Sequence, residues 1–414
     1  MNERRRVVIT GMGVVTALGM DEAALWQSML AGRCGIRPLT LFDTAEYRCK
    51  NGSEIATDAL NEALLSRKLT TADRTVDMAL VASAQALESA GVISGEPPYE
   101  PQNAAVIFGS GLGASHSMYS AFMGYSEKGV RGMRPTSVPR CMANAISAQI
   151  SMRFRLTGPN YIIVSACTSS TNAIGTAFRM IRDGYSDRVL CGGSDSVFDP
   201  FVFAGWNNLG VMSKNPDPAR ACRPFDADRD GCVLGEGAGA LVIESLDQAR
   251  RRGARIRAEI LGFGESSDAE HITSPSAEGQ ARAIRAALDC AGIQPGDIGF
   301  INAHGTATRA NDTCESQSIR LALGEATGRI PVASNKSFFG HLLGASGAVE
   351  TIVTVLGLEN GKVPPNLNLD NPDPACSLTF VGNTAMDVPS PIAMKNSFGF
   401  GGDNAVLIMR RWDR

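Results

Sequence analysis

Tyr161-Ile162-Ile163-Val164-Ser165-Ala166-Cys167-Thr168-Ser169-Ser170 carries the chain from an apolar run into a small polar turn. Apolar residues then recur at helical spacing at Ile174, Ala177, Phe178 and Ile181, and Asp183-Gly184 closes the pattern. A buried strand, a tight turn and an amphipathic helix in that order make the repeating unit of a layered α/β protein. Cys167 falls in the turn, beside the N-terminus of the expected helix. Unpaired backbone N–H groups there stabilise a thiolate and lower a thiol pKa. The same donors can hold the oxyanion formed when a thioester carbonyl is attacked. A sharp turn that lifts a nucleophile above a sheet is a recurrent enzyme device.

The same alternation extends outward in both directions. Short apolar runs at Ala105–Phe108, Val189–Cys191, Ala240–Glu244, Ile298–Asn302 and Ala405–Met409 read as strands covered on both faces. Helical periodicity marks Val76–Ala90, Asn172–Arg182, Glu278–Ala291 and Ala348–Leu358. At 414 residues the chain exceeds one ordinary core, so two domains or two similar halves are expected. The basic stretch Leu246–Arg257 separates 1–250 from 251–414. Val7-Val8-Ile9-Thr10-Gly11-Met12-Gly13 is echoed loosely by Ala258-Glu259-Ile260-Leu261-Gly262-Phe263-Gly264, which hints at a duplication.

A net charge of −3 argues against a protein that coats nucleic acid. Ten cysteines spread from Cys34 to Cys376 form no CxxC pair and no zinc-spaced cluster, so free thiols in a reducing cytoplasm and no metal are expected. Residues 1–6 lead directly into a Gly-broken strand pattern rather than a signal peptide. No run approaches the roughly 18 apolar residues that span a bilayer. Cys191, Cys222, Cys290 and Cys376 read as structural.

With only four histidines, their settings carry weight. His304 follows an apolar run and opens His304-Gly305-Thr306-Ala307-Thr308, and His341 lies in Lys336-Ser337-Phe338-Phe339-Gly340-His341, just before an apolar helix. A histidine at a helix N-terminus is pushed toward the neutral form, which donates to a carbonyl oxygen. Two such donors on one thioester oxygen would stabilise the enolate left when a carboxylate departs as carbon dioxide. Lys336 either orients His341 or is a surface charge. Thr306 and Thr308 alternate on an expected extended segment, so both hydroxyls face one ligand. Asp312-x-x-Glu315 reads first as a capping box, and His116 receives no role.

Ser165-Ala166-Cys167-Thr168-Ser169, His304-Gly305-Thr306-Ala307-Thr308, Lys336-Ser337-x-x-Gly340-His341 and Asn396-Ser397-Phe398-Gly399-Phe400-Gly401-Gly402 resemble the elongating β-ketoacyl-acyl-carrier-protein synthases, most closely the synthase II type. Arg229-Asp230-Gly231-Cys232-Val233-Leu234-Gly235-Glu236-Gly237 and Ser267-Asp268-Ala269-Glu270-His271-Ile272-Thr273-Ser274-Pro275 fall in the family's order, and the likeness runs the whole chain. The resemblance implies a thiolase-like five-layer αβαβα fold with two similar halves, assembled as a homodimer. It implies that Cys167 takes the acyl group from acyl carrier protein and that His304 and His341 promote malonyl decarboxylation. By the same likeness Lys336 and Glu350 support that pair, and Thr306 and Thr308 hold the phosphopantetheine arm. Phe400 gates the nucleophile, its N–H and that of Cys167 forming the oxyanion hole. No bound cofactor is implied, since the phosphopantetheine arrives on the carrier. His341, where initiating relatives carry Asn, points to the elongating class.

Some positions depart from the family pattern. Cys232 replaces a usual Phe, Phe338-Phe339 fill a place where Met-Thr or Leu-Thr is more usual, and Asp403 replaces a Thr. An unpaired carboxylate at Asp403 would raise the Cys167 pKa. Leu112, Ser137 and Trp206 are assigned to the acyl pocket and its entrance, Ser137 at the pocket floor as a contribution from across the dimer. Arg67, Lys68, Arg131 and Arg134 are candidates for a basic rim that meets an acidic carrier. The expected reaction is decarboxylating condensation of an acyl thioester with malonyl-acyl carrier protein. The alternatives are a type II polyketide or other secondary-pathway ketosynthase, or an impaired carrier-binding partner subunit.

Overall fold

In the computed structural model, which describes residues 4–69, 73–95 and 97–413, eleven strands join in one sheet. Residues 1–3 of the basic leader lie outside the described residues. In chain order the strands are β1 (Val7–Thr16), β2 (Ala105–Gly109), β3 (Asn160–Ile163), β4 (Arg188–Asp195), β5 (Gly237–Ser245), β6 (Ala258–Ser267), β7 (Phe300–Asn302), β8 (Pro331–Ala333), β9 (Thr379–Phe380), β10 (Ile392–Gly399) and β11 (Asp403–Arg411). Across the sheet they run β9-β8-β7-β10-β11-β6-β1-β5-β4-β2-β3. Setting β9 aside, each half reads outward from the centre as its own first, fifth, fourth, second and third strand. The first strands meet antiparallel at Val7–Ile260, Val8–Glu259 and Ile9–Ala258.

Six helices bear on the site: α1 (Arg74–Ser89), α2 (Ser115–Lys128), α3 (Ser169–Arg182), α4 (Ala277–Ala291), α5 (Arg309–Leu323) and α6 (Ser346–Asn360). α3 and α6 pack on each other and on strands of both halves, within one core that includes Ile174, Phe178, Val349 and Ile352. α6 is buried on every side from Ser346 to Leu358, as its mostly apolar sequence requires, with Glu350 as the one charged residue in that span. α1 covers the outer face of the first half and α4 that of the second. The layers are therefore helix, first half of the sheet, helix pair, second half of the sheet and helix.

The repeated glycines explain the sequence echo. A Cβ at Gly13 would lie 2.1 Å from Ala82 O of α1, and one at Gly264 would lie 2.2 Å from Ala283 O of α4. The same strand in each half keeps glycine so that its outer helix can approach the backbone.

Tyr161–Ser165, expected as a buried strand, is corrected. β3 ends at Ile163 and pairs only with β2, leaving its other edge open. Tyr161 is 52% exposed and Val164 57%. No helix among the described residues is long and apolar enough to cross a membrane.

Candidate active site

Cys167 sits in a single 3₁₀ turn, Ala166–Thr168, that feeds α3. Ala166 adopts φ +53°, a left-handed conformation that costs a non-glycine residue about 1 kcal/mol or more and recurs at functional turns. Hydrogen bonds fix the turn. Ser169 Oγ donates to Ala166 O (2.6 Å), and Asn172 Nδ2 donates to Ser165 Oγ (2.9 Å). Thr168 Oγ1 and Asn172 Nδ2 both donate to Asp403 Oδ1, at 2.6 and 2.8 Å. Asp403 is therefore paired, so the condition under which it would raise the Cys167 pKa is not met. The carboxylates that do act on Cys167 are Glu350 and, more strongly, Asp195, which no sequence motif singled out. It is fully buried and accepts Ser110 Oγ (2.8 Å) and the N–H groups of Gly111 (2.6 Å) and Gly344 (2.7 Å).

The expected low thiol pKa is also corrected. Burial pushes the Cys167 thiol up to about 12, against the pull of the Lys336 ammonium. Desolvation of the charged form outweighs the helix terminus here. The Phe400 N–H hydrogen-bonds the sulfur, and His341 Nε2 lies 3.0 Å from Sγ.

Each histidine is held by its loop. His341 donates its N–H to Val233 O (2.7 Å), and its Nδ1 lies 3.0 Å from Ser346 Oγ at the start of α6. The His304 and Gly305 N–H groups donate to the two oxygens of Glu315, both at 2.8 Å. Asp312 accepts the N–H of Thr306 (3.0 Å) and of Phe225 (2.8 Å). Asp312 and Glu315 are thus loop anchors and not a capping box, and Thr308 caps α5 by accepting the Asn311 N–H. The imidazole centroids stand 5.3 Å apart, edge to face at 83°. Burial and the Lys336 charge hold both rings well below the usual histidine range, so both are neutral. The ligand atoms of Cys167, His304 and His341 all fall within 4.8 Å of one another, close enough to meet one thioester group.

Lys336 is fully buried and is not a surface charge. Its Nζ donates to Glu350 Oε1 (2.5 Å) and His304 O (2.6 Å), and lies 3.4 Å from His304 Nδ1. It supports His304 rather than His341. Lys395, which the sequence reading passed over, reaches the other oxygen of Glu350. Its signal was its place in Ile392-Ala393-Met394-Lys395-Asn396, a strand with both faces covered.

A cleft of about 750 Å³ opens onto the triad. Thr306, Thr308, Trp206, Cys232 and Phe400 line it, and the loop 268–275 forms part of its wall. Trp206 stacks on Phe400 with centroids 6.0 Å apart. Thr306 Oγ1 and Thr308 Oγ1 hydrogen-bond each other at 2.9 Å. Their segment is not extended, since Ala307 takes φ +65°, and the turn, not strand alternation, brings the hydroxyls together. Leu112 and Ser137 are not in this cleft. Leu112 lines an apolar cavity with Met118, Phe122 and Phe201 on one side of α2. Ser137 lines a polar one with His116, Arg134 and Arg140 on the other. None of Arg67, Lys68, Arg131 and Arg134 lines the cleft. Phe338 and Phe339 are core residues.

Residues 4–249 match the beta-ketoacyl synthase N-terminal domain and residues 257–370 the beta-ketoacyl synthase C-terminal domain. The 3-oxoacyl-[acyl-carrier-protein] synthase 2 of Synechocystis sp. is 38% identical over 413 residues, covering 99% of both chains. The ishigamide ketosynthase/chain length factor structure superposes with a TM-score of 0.90 at 36% identity, over 99% of this chain and 100% of that one. A type II PKS ketosynthase, bound to the hexaketide and in complex with its acyl-carrier protein, gives a TM-score of 0.90 at 27% identity over the same shares. With two domain models in order across most of its length and a full-length relative at this identity, the chain belongs to the beta-ketoacyl synthase family.

Proposed function

We propose that the protein condenses an acyl thioester with malonyl-acyl carrier protein, releasing carbon dioxide and 3-oxoacyl-acyl carrier protein. The observation that carries this is the buried set of Cys167 Sγ, His341 Nε2 at 3.0 Å and His304 edge-on to His341. In the first half-reaction Cys167 attacks the acyl carbonyl, the bond to the carrier sulfur breaks, and the thiol proton passes through His341 to the departing thiol. The backbone N–H groups of Phe400 and Cys167 hold the oxyanion. In the second, the malonyl C–C bond to the carboxylate breaks and its electron pair becomes the enolate, whose oxygen accepts from the two neutral imidazoles. The enolate carbon then attacks the acyl carbonyl, and Cys167 leaves as a thiolate that takes a new proton from water through His341.

Thr306 and Thr308 hold the phosphopantetheine arm, the Trp206–Phe400 stack controls entry, and Lys336 and Glu350 fix His304. The chain uses no cofactor of its own. The 1–250 half supplies the nucleophile and 251–414 supplies both histidines and both lysines. The open β3 edge and the exposed Met118 and Phe122 of α2 support a homodimer. Cysteines free throughout the described residues support a cytoplasmic setting. The likeness to the ishigamide and type II PKS ketosynthases favours a specialised pathway as the second reading. The pairing of Asp403 with Thr168 and Asn172 weakens the case for an impaired partner subunit.

Intact-protein mass spectrometry after incubation with acyl-acyl carrier protein tests the assignment. Wild type gains the acyl mass and Cys167→Ala does not. An unmodified wild type across a series of chain lengths defeats it.

A further inference from the structure

β10 places Lys395 between α3 and α6, where it has no exposed surface. Its Nζ donates to Thr171 Oγ1 of α3 (3.1 Å) and to Ser397 Oγ on its own strand, and lies 3.1 Å from Glu350 Oε2 of α6. The tie of that Glu350 oxygen to Lys395 is chiefly Coulombic. The other oxygen binds Lys336 at 2.5 Å, and Lys336 in turn holds His304 O. Besides Glu350, the charged groups acting on Lys395 are Lys336, which disfavours its ammonium, and Glu315, which is committed to the His304 and Gly305 N–H groups. Two buried ammoniums thus share one carboxylate directly behind the histidine pair.

We propose that Lys395 is a positioning residue for the decarboxylation half-reaction: as an ammonium it clamps the second oxygen of Glu350, fixes Lys336 behind His304, and holds positive potential behind the imidazoles where enolate charge develops. This rests on the functional reading above. The charge of Lys395 depresses both His304 and His341, which keeps them as neutral donors. Burial pushes the Lys395 ammonium down to about 8. The cation is therefore present below about pH 8 and lost as pH rises through that value.

The test uses enzyme acylated at Cys167 and malonyl-pantetheine labelled in its free carboxyl, with labelled carbon dioxide followed from about pH 6 to about pH 9. Wild-type kcat should fall above about pH 8. Lys395→Met should lower kcat on the order of tenfold, abolish that limb, and leave KM and the rate of Cys167 acylation near wild type. Thr171→Val, which removes one acceptor from the ammonium, should move the limb to lower pH. A pH-independent wild type, a limb that survives in Lys395→Met, or an equal loss of acylation and decarboxylation overturns the proposal. If Lys395→Met does not fold, the wild-type limb and its shift in Thr171→Val decide. An enzyme that never takes up the acyl group fails at the functional reading, and this inference falls with it.

Discussion

Removing the charge of Lys336 should destabilise the fold as well as impair chemistry, and the Lys336–Glu350 pair gives the size. Both side chains are wholly buried, with Nζ 2.5 Å from Oε1. Breaking such a pair from one side costs about 3–5 kcal/mol, because a desolvated charge is left behind. In Lys336→Met, Glu350 keeps Lys395 at 3.1 Å, so the loss should sit near the lower end, about 3 kcal/mol. In Glu350→Gln two ammoniums lose their shared counter-charge and repel, so the loss should approach about 5 kcal/mol unless one lysine gives up its proton. The double variant removes a cation and an anion together. It should fall short of the sum of the single losses by about 2–3 kcal/mol. Denaturant unfolding of the four proteins, followed by circular dichroism, measures the cycle. Strict additivity would refute the idea that the three groups form one coupled cluster. Carbon dioxide release should drop in all three variants, since each loosens the support of His304.

The thiol pKa near 12 implies that iodoacetamide alkylation of Cys167 keeps climbing beyond about pH 9, and a plateau near about pH 8 would mean that the helix terminus outweighs burial. Asp403→Ala removes the acceptor of Thr168 and Asn172 and should cost about 1–2 kcal/mol in unfolding, with the alkylation profile unmoved; a profile shifted to lower pH would show that Asp403 does act on the sulfur. Thr308→Ala removes the cap of α5, about 1 kcal/mol, and should raise KM for malonyl-acyl carrier protein while Thr308→Ser restores both; an unchanged KM in steady-state assays would remove Thr308 from the carrier-arm site. Gly264→Ala would place a Cβ 2.2 Å from Ala283 O and should cost about 1–3 kcal/mol, read as a lower melting temperature; a neutral result would contradict the close seating of α4.

The layered α/β class and the settings of Cys167, His304 and His341 were legible in the sequence. Both depend on local patterns that need no partner across the chain. The alternation of apolar runs and helical periods, the Gly11/Gly13 and Gly262/Gly264 echo, and the turn around Cys167 are of this kind. Tertiary structure alone decided what each group feels. Cys167 stands at a helix start, which favours a thiolate, yet the cover of Phe400, His341 and Cys232 strips water from it, and burial wins. Asp403 is adjacent to the glycine loop in sequence, but its oxygen is claimed by Thr168 and Asn172, more than two hundred residues earlier. Asp195 and Lys395 carry no motif; they matter because β4 ends, and β10 passes, beneath the central helices α3 and α6. Leu112 and Ser137 fall to opposite sides of α2, a separation that one-dimensional spacing does not encode. Burial and charge pairing are sums over long-range neighbours, and only the folded chain fixes which neighbours those are.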